Sequence, residues 1–426
     1  MSMTSGKSPP LSELTGTQVQ WILGGAMMTL ATMPGQTNFI AQFNFSLRET
    51  FGLGHGMFGG LYTIATLASA CTLIFAGSLA DKIAPRTLAG VSIVGLALTA
   101  LAMSVVGNVL LLVVALAALR FFGQGMLTHI AMTTMSRWFN RFRGRAMSFT
   151  TLGYTVGESS LPFVLTLSIG LYGWRSVWAA TAIVLVAVLL PIVLFLLRHP
   201  PDGARARAGG LINPDAPPAS DHLTGNSWTR KAVLRDPLFL AIIPGIMAPP
   251  AIGTLFIFHQ AHLNEIKGWD LTVFTALFPF LSFTVAIASL LAGFLIDRFG
   301  AWRLMPFVLL PLSAGCILIS YVAGQWSIPL VFACLGATQG MMNPIVGALW
   351  VELYGSAHIG AIRSLATAAL VAASAIGPGI SGYLIDLNFE LPNQALIYAV
   401  YGLIGAGTYW LLQPRFAARV RSLGRL

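Results

Sequence analysis

The chain has 426 residues, of which 56% are hydrophobic and only 9% charged, and its mean hydropathy is +0.78. So few charges cannot solvate a globule of this size, which excludes a water-soluble protein and makes lipid the required solvent. The net charge of +10 would suit a nucleic-acid partner only if it formed one soluble patch, and it is instead divided among loops.

Residues 1–17 are polar, and the apolar run behind them is too long for a secretory leader and lacks a cleavage site, so it reads as a retained first span. A spanning helix needs about 20 largely apolar residues. Twelve stretches qualify: 18–43, 57–80, 87–106, 109–136, 146–170, 175–197, 237–262, 272–296, 301–323, 327–353, 360–385 and 393–413. The predicted fold class is an all-α integral membrane protein of twelve transmembrane helices in two six-helix halves, 18–197 and 237–413. Between them, 198–236 holds Pro200-Pro201, Gly209-Gly210 and Pro217-Pro218 and reads as a linker; 414–426 is a basic tail. Prolines and glycines inside the spans, such as Pro34-Gly35, Pro249-Pro250 and Gly377-Pro378-Gly379, permit kinks and close approach that only neighbouring helices can support.

The basic residues fall in alternate loops. Lys82, Arg86, Arg137, Arg141, Arg143, Arg145, Arg298 and Arg303 share one side with the linker and tail, whereas the other loops hold little beyond Arg48, Arg175 and Lys267. This asymmetry predicts that both termini are cytoplasmic. The expected setting is a plasma membrane, the inner one in a bacterium, with the bilayer and a small molecule as partners, no nucleic acid, and a monomer sufficient for the fold. Cys71, Cys316 and Cys334 lack ligand spacing and read as packing residues. No metal cluster, cofactor loop or nucleophile triad is apparent, so neither an enzyme nor ATP-driven transport is expected.

The halves look duplicated. Gly77-Ser-Leu-Ala-Asp81-Lys82 ends the second stretch, and Gly293-Phe-Leu-Ile-Asp297-Arg298 ends the eighth; the two aspartates lie 216 residues apart. Gln124-Gly125 returns as Gln339-Gly340, Gly144 as Gly360 and Pro162 as Pro378, at nearly the same offset. Several pairs at one spacing argue for two similar halves pointing the same way.

These residues resemble the major facilitator superfamily. The family signature Gly-x-Leu-Ala-Asp-Arg/Lys-x-Gly-x-x-Arg is similar to Gly77 to Arg86, with Ala84 where glycine is preferred, and the second copy keeps Gly300. Arg120-Phe-Phe-Gly-Gln124-Gly125 looks like the second signature, Arg-x-x-x-Gln-Gly. The resemblance implies a substrate cavity between two rocking halves near the midplane. It implies a cytoplasmic gate at Gly77, Asp81, Arg86, Gly293, Asp297 and Arg298. There Asp81 would face the start of the eleventh span, and Asp297 the start of the fifth beside Arg145; the bland alternative is a pair of solvated turns. Arg137-Trp-Phe to Gly144, Tyr172-Gly-Trp-Arg175, and Phe258-His259-Gln260 with Lys267-Gly-Trp269 look like monocarboxylate and oxalate–formate porters. One departure is that the eighth span lacks the basic residue several such porters carry, and the eleventh has only Arg363 near its cytoplasmic end.

Charge at midplane depth is costly and so points to function. Arg120 and Glu158 each lie about 11 or 12 residues into their spans, roughly 17 Å deep, where they are expected to pair. Competition for that pair by a proton or an anionic solute would couple the two; the alternative is a permanent structural ion pair. Gln36, Asn38, Tyr62, Tyr154, His259, Gln339 and Asn343 complete the expected substrate wall, though a lone membrane histidine is more often a hydrogen-bonded packing residue, and Gln339 can equally join helices instead. The reading is a secondary active transporter, with proton-coupled uptake of a small organic anion such as a monocarboxylate. Its rival is proton-antiport efflux of drugs or metabolites: Gly153-x-x-x-Gly157 faintly matches the exporters' pattern, but Glu158 stands where they have proline.

Overall fold

The computed structural model describes residues 16–139, 143–199, 230–355 and 359–422, and these are helical with no strand among them. In chain order the long helices are Gly16–Ala31 continued by Thr37–Ala41, His55–Ala76, Pro85–Val105, Val109–Met135, Arg143–Tyr172 and Trp174–Leu196 in one half. The other half holds Pro237–Phe258, Leu271–Phe299, Ala301–Tyr321, Ile328–Tyr354, Ile359–Asp386 and Leu391–Leu411. They are numbered below as spans one to twelve. A helix satisfies its own backbone donors and acceptors, which lipid cannot do, and that dictates the architecture. Among the described residues nine helices are long and apolar enough to cross a bilayer alone, or ten if Leu391–Leu411 is counted with its 45° bend into Gln413–Ser422. The first is interrupted by Pro34–Gly35, and 16 described helical residues precede the break. The fifth is rich in Ser, Thr and Gly and carries Glu158.

Each half has its own apolar core. One gathers residues from Trp21 to Leu197, the other from Val233 to Val420. Phe258, at the end of span seven, crosses over and packs on Phe58 and Tyr62 of span two, at ring distances of 5.4 and 4.6 Å. The duplication is visible in local geometry. Spans one and seven are each followed by an eight-residue helix, Asn44–Phe51 and Gln260–Lys267. Those helices end on Gly52 (φ 62°) and Gly268 (φ 65°), 216 positions apart, in the left-handed turn that only glycine enters freely. Most of the predicted linker 198–236, residues 200–229, lies outside the described residues.

Close helix contact within a half depends on missing side chains. A Cβ at Gly153 of span five would sit 1.8 Å from the carbonyl oxygen of Ala26 in span one. Gly153→Ala is therefore expected to cost about 1–3 kcal/mol of overpacking and to lower the melting temperature in detergent. Gly60→Ala is the control, because nothing lies within 4 Å of its added carbon; equal melting points for the two would refute the packing argument.

Candidate functional site

A cavity of ≈ 290 Å³ lies between the halves. The break at Pro34–Gly35 builds its polar wall: Gln36 is extended (ψ 150°), and Gln36, Thr37 and Asn38 face the space instead of lying in a continuous helix. Tyr154 and Glu158 of span five complete that side, and Gln339 and Asn343 of span ten lie opposite. Phe256, Phe274 and Phe332 supply apolar surface from the second half. Among the described residues, Glu158 is the one charged residue in the lining. Asn38 Nδ2 donates to Glu158 Oε1 at 2.5 Å, and the Tyr154 hydroxyl donates to the same oxygen at 3.0 Å.

Arg120 is buried just behind this wall, 3% exposed. Its Nη1 donates to the Gly35 carbonyl at 3.1 Å and to Thr37 Oγ1 at 3.2 Å, while its guanidinium lies 5.3 Å from the centre of the Tyr62 ring. The Tyr62 hydroxyl closes the group, 2.6 Å from the same Thr37 oxygen. Span four is π-helical from Arg120 to Leu127, a wide turn of the kind that recurs at functional sites. Gly123 in that turn lets span one approach until a Cβ there would lie 2.8 Å from the Cα of Gly35.

Of the expected substrate wall, Gln36, Asn38, Tyr154, Gln339 and Asn343 line the cavity together with Glu158. Three expectations are corrected. Arg120 makes no ion pair with Glu158 among the described contacts, because the break in span one offers it a free carbonyl and hydroxyl first. Tyr62 sits with Arg120 behind Thr37, away from the lining. His259 is not in the wall either. Span seven ends at Phe258, so His259 turns into the interface, where its Nε2 lies 2.9 Å from the Pro378 carbonyl.

The expected gate residues are only partly described. Gly77 offers its carbonyl to His129 Nε2 at 3.1 Å. Arg86 turns to its own half, its Nε donating to Leu194 O at 3.1 Å. A Cβ on Gly293 would meet open space, Arg298 lies over the Phe299 ring, and Asp297 is exposed. The side chains of Asp81 and Arg145 lie outside the described residues.

At the opposite end the halves are tied by contacts that sequence reasoning missed. Asp386, the last residue of span eleven, accepts from the backbone nitrogens of His55 and Gly56 at 2.8 Å each, capping span two across the interface. The equivalent start of span eight carries its own cap: Asp270 accepts from Thr272 and Val273, and those donors hold its carboxyl below the usual range. Its counterpart 216 residues earlier is Gly54, where a Cβ would meet Asp386 Oδ2 at 2.7 Å. Span two thus lacks a cap of its own and borrows one. Thr63 Oγ1 donates to Ala375 O, and Asn44 Nδ2 to Phe258 O, each at 2.7 Å. Spans two and eleven touch backbone to backbone, with Gly59 against Pro378 and Gly382 against His55. We call this the latch end and the opposite one, which carries Lys82, Arg86, Arg298 and Arg303, the basic end.

Comparison with known proteins sets this geometry in context. The profile described as Major Facilitator Superfamily matches residues 25–378 and 251–425. The chain is 23% identical to an oxalate:formate antiporter of Oxalobacter formigenes, over 71% of this chain and 70% of that one. It is 24% identical to the multidrug resistance protein MdtG of Dickeya zeae, over 93% of each. Among solved structures it is similar to a bacterial homologue of the human lysosomal transporter Spinster, inward-facing and unoccupied, with a TM-score of 0.70 at 15% identity, covering 95% of this chain and 99% of that one. The nucleoside transporter NupG gives 0.66 at 14% identity, over 95% and 99%. These last two likenesses concern the fold alone.

Proposed function

The chain belongs to the Major Facilitator Superfamily, a multi-pass membrane transporter and not an enzyme, and on that premise we propose that it is a proton-coupled carrier of small organic anions. Glu158 is its proton site. The carrying observation is the charge arrangement: one carboxylate in the wall, held by neutral donors, and one buried arginine a single hydroxyl behind it. With Glu158 ionised the two charges cancel at the cavity and an anion gains little. Once Glu158 takes a proton, Arg120 is left unbalanced and the site attracts one negative charge. Proton and monoanion then enter together, which is electroneutral symport. A cavity of ≈ 290 Å³ suits a small solute. The antiporter relative supports the carboxylate class and makes exchange the variant of this reading that an assay must separate from net symport.

The basic end supports an orientation with both termini cytoplasmic, in a plasma membrane that is the inner one in a bacterium. The latch end then faces outward, and alternating access consists of releasing it while the basic end closes through Asp81, Asp297 and Arg145.

One observation favours a second reading. Among the described residues the one charge in the lining is negative and the far wall is aromatic, which suits expulsion of apolar cations by proton antiport, as the multidrug relative also suggests. Thermal stabilisation of the purified protein by a solute panel decides between them, since a ligand that binds the folded state raises the melting point by mass action. Short carboxylates are expected to stabilise more at pH 5.5 than at pH 7.5, and the effect is expected to vanish in Arg120→Gln. Stabilisation by apolar cations alone would overturn the anion reading.

A further inference from the structure

A second group of titratable side chains lies at the latch end, apart from the cavity. His55 begins span two; His259 and His262 belong to the turn and short helix after span seven, in the other half. The His55 ring centre is 4.2 Å from that of His262 and 5.7 Å from that of His259. His259 is 1% exposed and His55 9%. Because a carbonyl can only accept, the contact with Pro378 O puts the His259 hydrogen on Nε2 and leaves Nδ1 as the basic lone pair. That Nδ1 is buried without a partner, and so is His55 Nδ1.

The surrounding charges are few. His262 Nε2 meets Glu390 Oε2 at 2.8 Å, and its Nδ1 lies 4.0 Å from Glu265. Arg48, on the short helix after span one, acts on His55 and His259 from the first half, and Asp386 acts on His259 from span eleven. Asp386 is already engaged by two backbone donors and Glu390 by His262. Among the described residues the closed latch therefore leaves no free carboxylate facing His55 or His259. A proton on His55 would set its charge 4.2 Å from the His262 ring, and protons on both His55 and His259 would put like charges 5.7 Å apart, shielded from water and within the field of Arg48.

We propose that the His55–His259–His262 cluster is a second proton-binding site of the carrier, which takes up protons as the latch end opens and gives them up as it closes. Opening carries His55 away from the other two and admits water, so the open form binds more protons than the closed one. By linkage, falling pH favours the form with more bound protons, by up to tenfold per pH unit for each extra proton. A hydrated imidazole titrates near 6.5, so the response falls between roughly pH 5 and 7. The site is independent of Glu158. An acidic outer face would open the latch before any solute arrives.

The test reads the distance between spin labels at Glu49→Cys and Leu387→Cys, one on each half, with Cys71, Cys316 and Cys334 replaced by Ala. The protein sits in lipid nanodiscs between pH 5 and 8. A Glu158→Gln background removes the cavity proton, so failure of the coupling mechanism and failure of this cluster are read separately. The wide population is expected to grow relative to the narrow one below about pH 6.5, by up to tenfold per pH unit for each of the two protons, on His55 and His259. His55→Gln and His259→Gln should each reduce that slope, and together abolish it. A purely structural histidine would change the populations but leave the slope. A flat profile in the parent, or an undiminished slope in the double variant, overturns the proposal; if the double variant does not fold, the singles and the parent profile carry the same decision.

Discussion

Replacing Glu158 with Gln is expected to abolish proton-driven accumulation while leaving solute exchange intact. The amide oxygen can still accept from Asn38 and Tyr154, which donate to Oε1 at 2.5 and 3.0 Å, so the wall keeps its shape. What it loses is the choice between two charge states. The variant resembles permanently protonated carrier, with Arg120 always unbalanced, and it continues to admit an anion. One proton per solute converts a difference of one pH unit into about tenfold accumulation, equivalent to 1.36 kcal/mol. Proteoliposomes with an alkaline interior should show that factor for the native protein and a factor near one for Glu158→Gln, with equal counterflow in both. Undiminished accumulation in the variant would remove Glu158 from the mechanism.

The second large effect is expected at Gly382. A Cβ there would lie 2.3 Å from the His55 carbonyl oxygen and 3.0 Å from the Gly56 nitrogen. These are backbone atoms at the start of span two, the turn that Asp386 holds, and they cannot swing aside as a flexible side chain would. The clash exists only while the halves are latched. Overpacking of about 1–3 kcal/mol therefore acts on the closed form alone, and Gly382→Ala should shift the equilibrium toward the open form roughly tenfold to a hundredfold. The separation of labels at Glu49→Cys and Leu387→Cys reads this directly. If the short distance still dominates in a folded Gly382→Ala protein, the backbone contact is not what sets the closed state.

Much of this architecture was legible because lipid imposes it. The helix ends lie within about four residues of those read from hydropathy, since a run of apolar residues must be long enough to cross and a loop must carry the charge. Six residues of the cavity wall were also legible, because polar side chains in an apolar helix need a reason to be there. The partners of Arg120 were not. Depth along a helix matched it with Glu158, but depth says nothing about rotation, and the π-helical turn and the break in span one together present Gly35 O and Thr37 instead. His259 was misplaced because the end of span seven was set at residue 262, and the chain turns four residues earlier. Asp386 left a faint signal that went unused. It ends an apolar span as Asp81 and Asp297 do, but Leu-Asn-Phe-Glu follows it where the others have basic residues, and its partner lies 330 residues away.

The interruption in span one also bears on how the chain is made. Its first piece, described from Gly16 to Ala31, stops at Pro34–Gly35, and the polar Gln36, Thr37 and Asn38 follow within the span. When it leaves the ribosome, the carbonyl of Gly35 and the amide of Asn38 have no protein partner. Arg120 is synthesised 85 residues after Gly35, and Glu158 120 residues after Asn38. Until spans four and five follow, the leading helix holds polar groups that hydrocarbon will not accept, and water or the insertion machinery must shelter them. Biogenesis of this half is accordingly a delayed, joint settlement of five helices. A ribosome stalled before residue 120 should leave the opening helix extractable from the bilayer, and one stalled beyond residue 172 should not.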